Sequence, residues 1–311
     1  MFGLTAINVF TMIAYGIPGY LLVKTKRLGE DSIKAFAKML LYVCQPALSI
    51  SSFNSVDFTP RLLADMGIFF GITLLAQLII IFSYGALFRK KLKESSAHKV
   101  CSVAGACGNV GFLGIPLLEK LLPDNPEVIL YSVSFSISMN LLAWTVGLMM
   151  MTGDRKYIKL KSVFLNPSML AFAVGFLLFV FKIKLPEPLG GYVLTLGRMS
   201  TVVCMTVMGM RLGTKKLKEL FTNGKVYIAS VSKLLVFPII LGALFLIIPV
   251  SQAVRSTGFI LGCCPAAAMI QSLAETHGGD SETAANVVLT TSILCIVTIP
   301  LMWSLYNVII L

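Results

Sequence analysis

The sequence predicts an all-α integral membrane protein, and three observations support this fold class. Hydrophobic residues make up 57% of the 311-residue chain, charged residues make up 13%, and the mean hydropathy is +0.87. A water-soluble domain of this length carries far more charge on its surface. Apolar runs of about 20 residues, enough to cross a bilayer as a helix, follow one another with short links. We therefore expect residues 1–311 to form a single membrane domain.

Reading for such runs predicts ten transmembrane helices, numbered here as segments 1 to 10. They cover residues 4–23, 33–53, 64–88, 98–122, 127–152, 167–183, 189–211, 225–248, 252–275 and 283–310. Segment 1 has neither a basic leader nor a cleavage pattern, so we expect a span and not a signal peptide. The seven cysteines lie within or beside these runs without zinc-type spacing, which favours a packing role.

The basic residues are concentrated on one side of this arrangement. Nineteen of the 26 Lys and Arg residues lie in the links after segments 1, 3, 5 and 7. By the positive-inside rule these links are cytoplasmic, which places both termini outside the cytoplasm of a plasma-membrane protein. The ninth link, "HGGDSE", should also be cytoplasmic but has no basic residue. The placement of the +12 net charge favours contact with anionic lipid and excludes nucleic acid as a partner.

Five spans followed by five more, with the N-terminus outside, give two halves of opposite orientation. The sequence therefore predicts two inverted five-helix repeats, at about 1–152 and 165–311. Many transporters share this plan, and they hold the substrate near the midplane, where interrupted helices meet.

Segments 4 and 9 carry such interruptions at corresponding positions. Segment 4 contains "GNVGFLGIPLL" (108–118), and segment 9 contains "GCCPAAA" (262–268). Proline removes a backbone donor and glycine permits unwinding, so both segments are expected to be broken helices that cross. Unwound backbone at membrane depth must be buried in protein or line a cavity, where its polar groups can bind a ligand. The candidate substrate-binding residues here are Gly108, Asn109, Gly111, Pro116, Cys264, Pro265 and Ala266.

Four further polar residues lie within apolar runs. Arg198 and Lys233 are cations in segments 7 and 8, where a charge is costly unless it faces a cavity or a partner. Each is a candidate for attracting a substrate carboxylate, and for Lys233 the alternatives are snorkelling to headgroups or bonding a carbonyl freed near Pro238. Gln45 and Gln271 are candidate ligands because both lie on segments interrupted by proline.

Two other functions stay open beside transport. An intramembrane enzyme is disfavoured, because the two histidines lie at segment ends and there is no HExxH motif. A sensor derived from a transporter would keep the breaks and bind a solute without flux. No carboxylate lies at the centre of segments 4 or 9, so coupling to H⁺ or Na⁺ is unresolved, and no cofactor is predicted.

Four stretches resemble the auxin efflux carrier family, which includes plant auxin exporters and bacterial permeases. They are "CQPALSISSF" in segment 2, "GNVGFLGIPLL" in segment 4, "NPSMLAFAVG" in segment 6 and "KLLVFPIILG" in segment 8. The resemblance implies a fold similar to that of bile acid symporters and sodium/proton antiporters, with a scaffold and a core in which segments 4 and 9 cross. By position, Asn109 and Pro116 match the first motif, and Pro265 matches the second break.

The resemblance also implies a function. Relatives move small organic anions such as malate, malonate or indole-3-acetate by an elevator or rocking motion, and they form dimers, so a homodimer is an expectation by analogy. This chain departs from the family in segment 7, where "TVVCMTVMG" replaces a proline-containing run and Arg198 precedes it. The long cytoplasmic loop of some plant carriers is missing, so auxin specificity does not carry over.

Overall fold

The computed structural model describes residues 2–153, 165–216, 220 and 223–310. The basic link "DRKYIKLK" and the boundary between the predicted repeats lie outside these residues. The described chain is helical and contains no β-strand. Each predicted segment corresponds to one helical stretch or to two that follow each other.

The helices of the first half are Phe2–Ala14 and Gly16–Lys24 (segment 1), Glu30–Met39 and Gln45–Asn54 (segment 2), Pro60–Leu87 with the short Arg89–Glu94 (segment 3), Ser96–Ala104 and Ile115–Leu121 (segment 4), and Val128–Leu142 and Leu148–Thr152 (segment 5). Those of the second half are Pro167–Val180 (segment 6), Glu187–Gly213 (segment 7), Gly224–Val231 and Phe237–Ile247 (segment 8), Gln252–Cys263 and Ala268–His277 (segment 9), and Ser281–Ile310 (segment 10).

Wider π-helical turns carry several segments through an irregularity without ending the helix. They lie at Leu40–Cys44, Val110–Gly114, Ala143–Gly147 and Ser232–Val236. Three of them come just before a proline, which lacks the N–H that a regular turn would bond. The run "TVVCMTVMG" has no proline, and segment 7 is one continuous helix of 27 residues.

Within the described ranges, seven helical stretches are long and apolar enough to cross a membrane: segments 1, 2, 3, 5, 7, 8 and 10. Segment 6 is an apolar helix of 14 residues, shorter than the bilayer core requires. Segments 4 and 9 are divided by their breaks, so neither contains one long helix. The protein is an integral multi-pass membrane protein, and the number of ten spans stays a prediction.

The helices pack as two groups. Segments 1, 2, 6 and 7 pack on one another and form the first group, whereas segments 3, 4, 5, 8, 9 and 10 form the second. The first half of segment 1 also lies against segment 10 and so joins the groups. In the first group, Phe53 of segment 2 is buried against Phe172 and Phe179 of segment 6.

Glycine sets the close approach of segments 1 and 7 inside the first group. A Cβ atom added to Gly209 would collide with the carbonyl oxygen of Gly16. Small residues of this kind let two helix backbones approach closely in lipid, where no hydrophobic effect draws the helices together. In the second group, aromatic contacts such as Phe69 with Phe245 join segments 3 and 8.

Candidate functional site

The break in segment 4 begins earlier than the motif predicts. Helix Ser96–Ala104 ends at Ala104, the chain is irregular to Asn109, and the turn Val110–Gly114 leads into the next helix. Pro116 lies in the first turn of that helix. A missing N–H costs nothing there, because the first N–H groups of a helix have no partner within it. Pro116 therefore marks the end of the break, and the irregular backbone lies before it.

The break in segment 9 lies where the motif predicts it. Helix Gln252–Cys263 ends at Cys263, and the next helix begins at Ala268. Pro265 is in the irregular link between them. Cys264 is fully buried, and its thiol donates to the Ile260 carbonyl at 3.7 Å.

The two breaks contact each other through their backbones. The Asn109 N–H donates to the Pro265 carbonyl at 2.7 Å, and the Ala267 N–H donates to the Cys107 carbonyl at 3.1 Å. Gly108 and Ala266 face each other between these bonds as an antiparallel bridge. Each break thus satisfies polar groups that the other has freed, which buried backbone requires.

A neighbouring hydroxyl supports each break from the segment that follows it. Ser132 of segment 5 donates to the Val110 carbonyl at 2.8 Å. Thr291 of segment 10 accepts from the Ala266 N–H at 3.1 Å. Segments 5 and 10 are counterparts in the predicted repeats, which would give the two supports corresponding places.

Lys233 lies at the breaks and not at the membrane surface. Its side chain is fully buried, and its ammonium donates to the Gly262 carbonyl at 2.7 Å. It also lies 4.3 Å from the centre of the Phe237 ring. A Cβ atom on Gly108 would lie 3.2 Å from Lys233 Cε, so the lysine contacts both breaks. Snorkelling is therefore wrong for Lys233, and the freed carbonyl that it binds belongs to segment 9.

Asn109 connects the breaks to segment 7. The side chain is 4% exposed, and its amide nitrogen lies 4.0 Å from the Cys204 sulfur. A thiol is a weak acceptor, so this contact leaves most of the amide's hydrogen-bonding capacity for another partner. Asn109 is the polar side chain that the first break presents to the other helix group.

Segment 7 meets the second group along one stripe. Cys204, Met208 and Arg211 are four and three residues apart, so they share one helix face. The Ser292 hydroxyl of segment 10 lies 4.0 Å from the Met208 sulfur, and Arg211 forms a 3.1 Å ion pair with Glu275 of segment 9. The stripe therefore runs from the breaks to the end of the second half-helix of segment 9.

Gln271 joins this ion pair. Its amide nitrogen donates at 2.8 Å to the same Glu275 oxygen that Arg211 binds. The Gln271 side chain points away from the break, toward Glu275. Gln271 lies one turn after Ala267, and its role as a substrate ligand stays a prediction.

The remaining candidates are Arg198, Gln45 and Gly111. Arg198 is exposed and lies on segment 7, six residues before Cys204. Gln45 follows Cys44, whose carbonyl accepts a 2.9 Å bond from Ser200 of segment 7. Gly111 is in the π-helical turn after Asn109, where a Cβ atom would fit beside Ser136. Arg198 is therefore not at the buried breaks, and Gln45 lies beside segment 7.

Sequence reasoning missed Arg211, Glu275, Thr291 and Ser132. Arg211 and Glu275 are the last residues of the apolar runs of segments 7 and 9, where charged side chains are usually solvated. The signal that could have found Arg211 is the seven-residue spacing from Cys204, which keeps both on one face. Among the described residues, no three His, Cys, Asp or Glu side chains are grouped to hold a metal ion.

These observations define an integral membrane protein in which two broken helices meet beside an unbroken one. A family model described as "membrane transport protein" matches residues 4–303, nearly the whole chain. The chain therefore belongs to this family, the auxin efflux carrier family, whose members are membrane transporters and not enzymes. No curated protein matches the chain.

Proposed function

We propose that the protein is a secondary transporter that carries a small organic anion, such as a mono- or dicarboxylate, across the cytoplasmic membrane by alternating access. The observation that supports this best is the joining of two broken helices at Asn109 and Pro265, with the Asn109 amide turned toward segment 7. Backbone and side-chain groups of this kind at membrane depth serve as substrate ligands in transporters with broken helices. In this proposal segments 4 and 9 form the crossover.

The charge at the breaks favours an anion. Lys233 is fully buried, and among the described residues no carboxylate lies within ion-pair distance of it. Its positive potential is therefore not cancelled locally, and a low-dielectric surrounding makes that potential strong. We assign Lys233 an electrostatic role, because Gly262 and Phe237 already occupy its ammonium.

The direct substrate contacts in this proposal come from the two breaks. Asn109 supplies donor and acceptor atoms, and the backbone of Gly108, Gly111, Cys264 and Ala266 lies around it. Pro116 and Pro265 shape the path without donating a hydrogen bond. Gln271 would contact the substrate on the cytoplasmic side of the breaks. Arg198 and Gln45 are on the first helix group and would contact it before it reaches the breaks.

The proposed motion is an elevator movement of the second helix group against the first. The breaks are hydrogen-bonded inside the second group, so they would move together with it. The first group, with segment 7, would stay fixed as the scaffold. Another junction, between segments 1 and 10, includes the buried apolar side chains of Val9 and Met12.

The topology in this proposal is the ten-span one, with inverted repeats at about 1–152 and 165–311 and both termini outside. The matching positions of Ser132 and Thr291 support the repeat, and the basic links support the orientation. Coupling to Na⁺ or H⁺, anionic-lipid contact and a homodimer belong to the same proposal by analogy with transporters of this plan.

Uptake of radiolabelled carboxylates into proteoliposomes tests the function, with and without Na⁺ and at two pH values. The wild type should take up at least one of malate, malonate, lactate or indole-3-acetate, and Asn109→Ala should abolish that uptake. Asn140→Ala is the matched control, because this buried asparagine bonds only its own helix, at the Ser136 carbonyl.

Three outcomes separate the alternatives. Uptake that persists in Asn109→Ala removes this residue from the site. Binding of a carboxylate without flux in any condition identifies a sensor and contradicts the transport proposal. If only uncharged or cationic solutes are taken up, the protein is still a transporter, but the proposal that its substrate is an anion is wrong.

A further inference from the structure

We propose that Arg211 and Gln271 bind the substrate carboxylate on the cytoplasmic side of the breaks, and that Glu275 occupies their site when the substrate is absent. The inference rests on the proposed function and adds a second binding place to it. It names residues outside the two breaks and gives the substrate a neighbouring hydrogen-bond donor.

The structure shows this pair of residues holding a carboxylate. One oxygen of Glu275 accepts from Arg211 Nη1 at 3.1 Å and from Gln271 Nε2 at 2.8 Å. The carboxylate also fixes the orientation of the Gln271 amide, because the opposite orientation would bring two acceptor oxygens together. A charged donor and a neutral donor that converge on one oxygen are typical of a carboxylate-binding site.

The site is not fully used by Glu275. Arg211 Nε and Gln271 Oε1 are both buried, and neither has a hydrogen-bond partner among the described residues. Gln271 is 7% exposed, so its oxygen cannot be satisfied by bulk water without an opening of the site. A buried polar atom without a partner costs free energy, which a ligand with matching groups would recover.

The two unused atoms define what such a ligand carries. Arg211 binds a carboxylate with two parallel bonds through Nε and Nη2 or through Nη1 and Nη2, and Glu275 uses only Nη1. The Gln271 oxygen accepts, so it requires a donor beside the carboxylate, such as a hydroxyl group. The geometry therefore selects a hydroxy acid over the acid that lacks the hydroxyl.

Glu275 can leave this site more easily than Arg211 can. The Glu275 side chain is 46% exposed, whereas that of Arg211 is 14% exposed. Glu275 is on segment 9 and Arg211 is on segment 7, so a substrate that replaces the glutamate also breaks the ion pair between the two helix groups. Substrate binding and the separation of the two helix groups are thereby coupled, because the same exchange of carboxylates causes both.

Thermal stabilisation of the purified full chain in detergent tests the exchange, with two matched ligand pairs: malate against succinate, and lactate against propionate. A ligand that binds the native state raises its melting temperature by mass action. The hydroxy acid of at least one pair should stabilise the wild type at a concentration at least about tenfold lower than its partner.

The variants separate the roles of the three residues. Glu275→Gln removes the competing charge, so the half-maximal ligand concentration should fall by about tenfold. Arg211→Gln should raise the half-maximal ligand concentration by at least about tenfold, and Arg211→Lys should restore it in part. Arg61→Gln and Asp65→Asn are controls, because they change a pair that lies 4.0 Å apart at the start of segment 3, outside the proposed site.

Stabilisation that is unchanged in Arg211→Gln would overturn the inference, as would a Glu275→Gln variant that binds no better than the wild type. Equal effects of malate and succinate, and of lactate and propionate, would overturn the assignment of Gln271. If carboxylates are taken up with an unchanged half-saturating concentration in Arg211→Gln, the inference fails and the proposed function stands. If none of the four acids binds the wild type or Glu275→Gln, the inference fails, and uptake then decides the proposed function alone.

Discussion

The contacts inside each helix group differ in kind from the contacts between the groups. Inside the second group, the breaks share backbone bonds of 2.7 and 3.1 Å, and Lys233 adds a 2.7 Å bond. Between the groups, segment 7 offers two sulfur contacts at 4.0 Å and one partly exposed ion pair. Contacts to sulfur and exposed ion pairs are weak, so the contacts of segment 7 with the second group can rearrange at little cost while each group stays intact.

The largest effect should come from the glycine contact inside the first group. Gly209→Ala places a Cβ atom against the Gly16 carbonyl, and backbone cannot move aside as a side chain can. We expect the free energy of unfolding to fall by about 3 kcal/mol or more, because overpacking is costly where helices touch. Thermal or denaturant unfolding in detergent measures it.

Gly191→Ala is the control in the same helix. No atom lies within 4 Å of the added Cβ at that position, and alanine favours helix over glycine. The control should therefore unfold at the same temperature or higher. Equal melting temperatures for the two variants would show that segments 1 and 7 are not in contact at Gly16.

A smaller loss should follow from removing the support of the second break. Thr291→Val keeps the shape of the side chain but leaves the buried Ala266 N–H without its acceptor. The free energy of unfolding should fall by about 1–3 kcal/mol, the usual cost of a buried donor without a partner. Thr291→Ser retains the hydroxyl and should lose less. If valine and serine behave alike, the hydrogen bond does not support the break.

The smallest effect should come from the junction between the groups. Met208→Leu removes the sulfur beside Ser292, but the Ser292 hydroxyl keeps its 2.7 Å bond to the Val288 carbonyl. The volumes are similar, so we expect a change below about 1.5 kcal/mol in the free energy of unfolding. A loss as large as that of Thr291→Val, measured in the same way, would show that the junction is as firmly held as the breaks.

The helical segments and their order could be predicted from apolar runs, and the second break from "GCCPAAA", because these are local properties of the chain. The first break begins before its predicted position, because Pro116 is compatible with the start of a helix. Lys233 could not be placed from the sequence. Whether a lysine faces lipid or a carbonyl 29 residues away depends on how segments 8 and 9 pack, which no periodicity records.

The relative movement of the two helix groups is the central claim, and distances between spin labels in lipid bilayers test it most directly. All seven native cysteines are buried, so cysteines introduced at the exposed Tyr192, Ile247 and Val308 can be labelled selectively. The pair 192–308 spans the two groups, and the pair 247–308 lies within the second. The account predicts one narrow distance between the labels at 247 and 308. For 192 and 308 it predicts two populations of distances that differ by about 5 Å or more. Their proportions should change when a carboxylate that binds is added. A single, unchanging distance for both pairs, with and without the carboxylate, would contradict it.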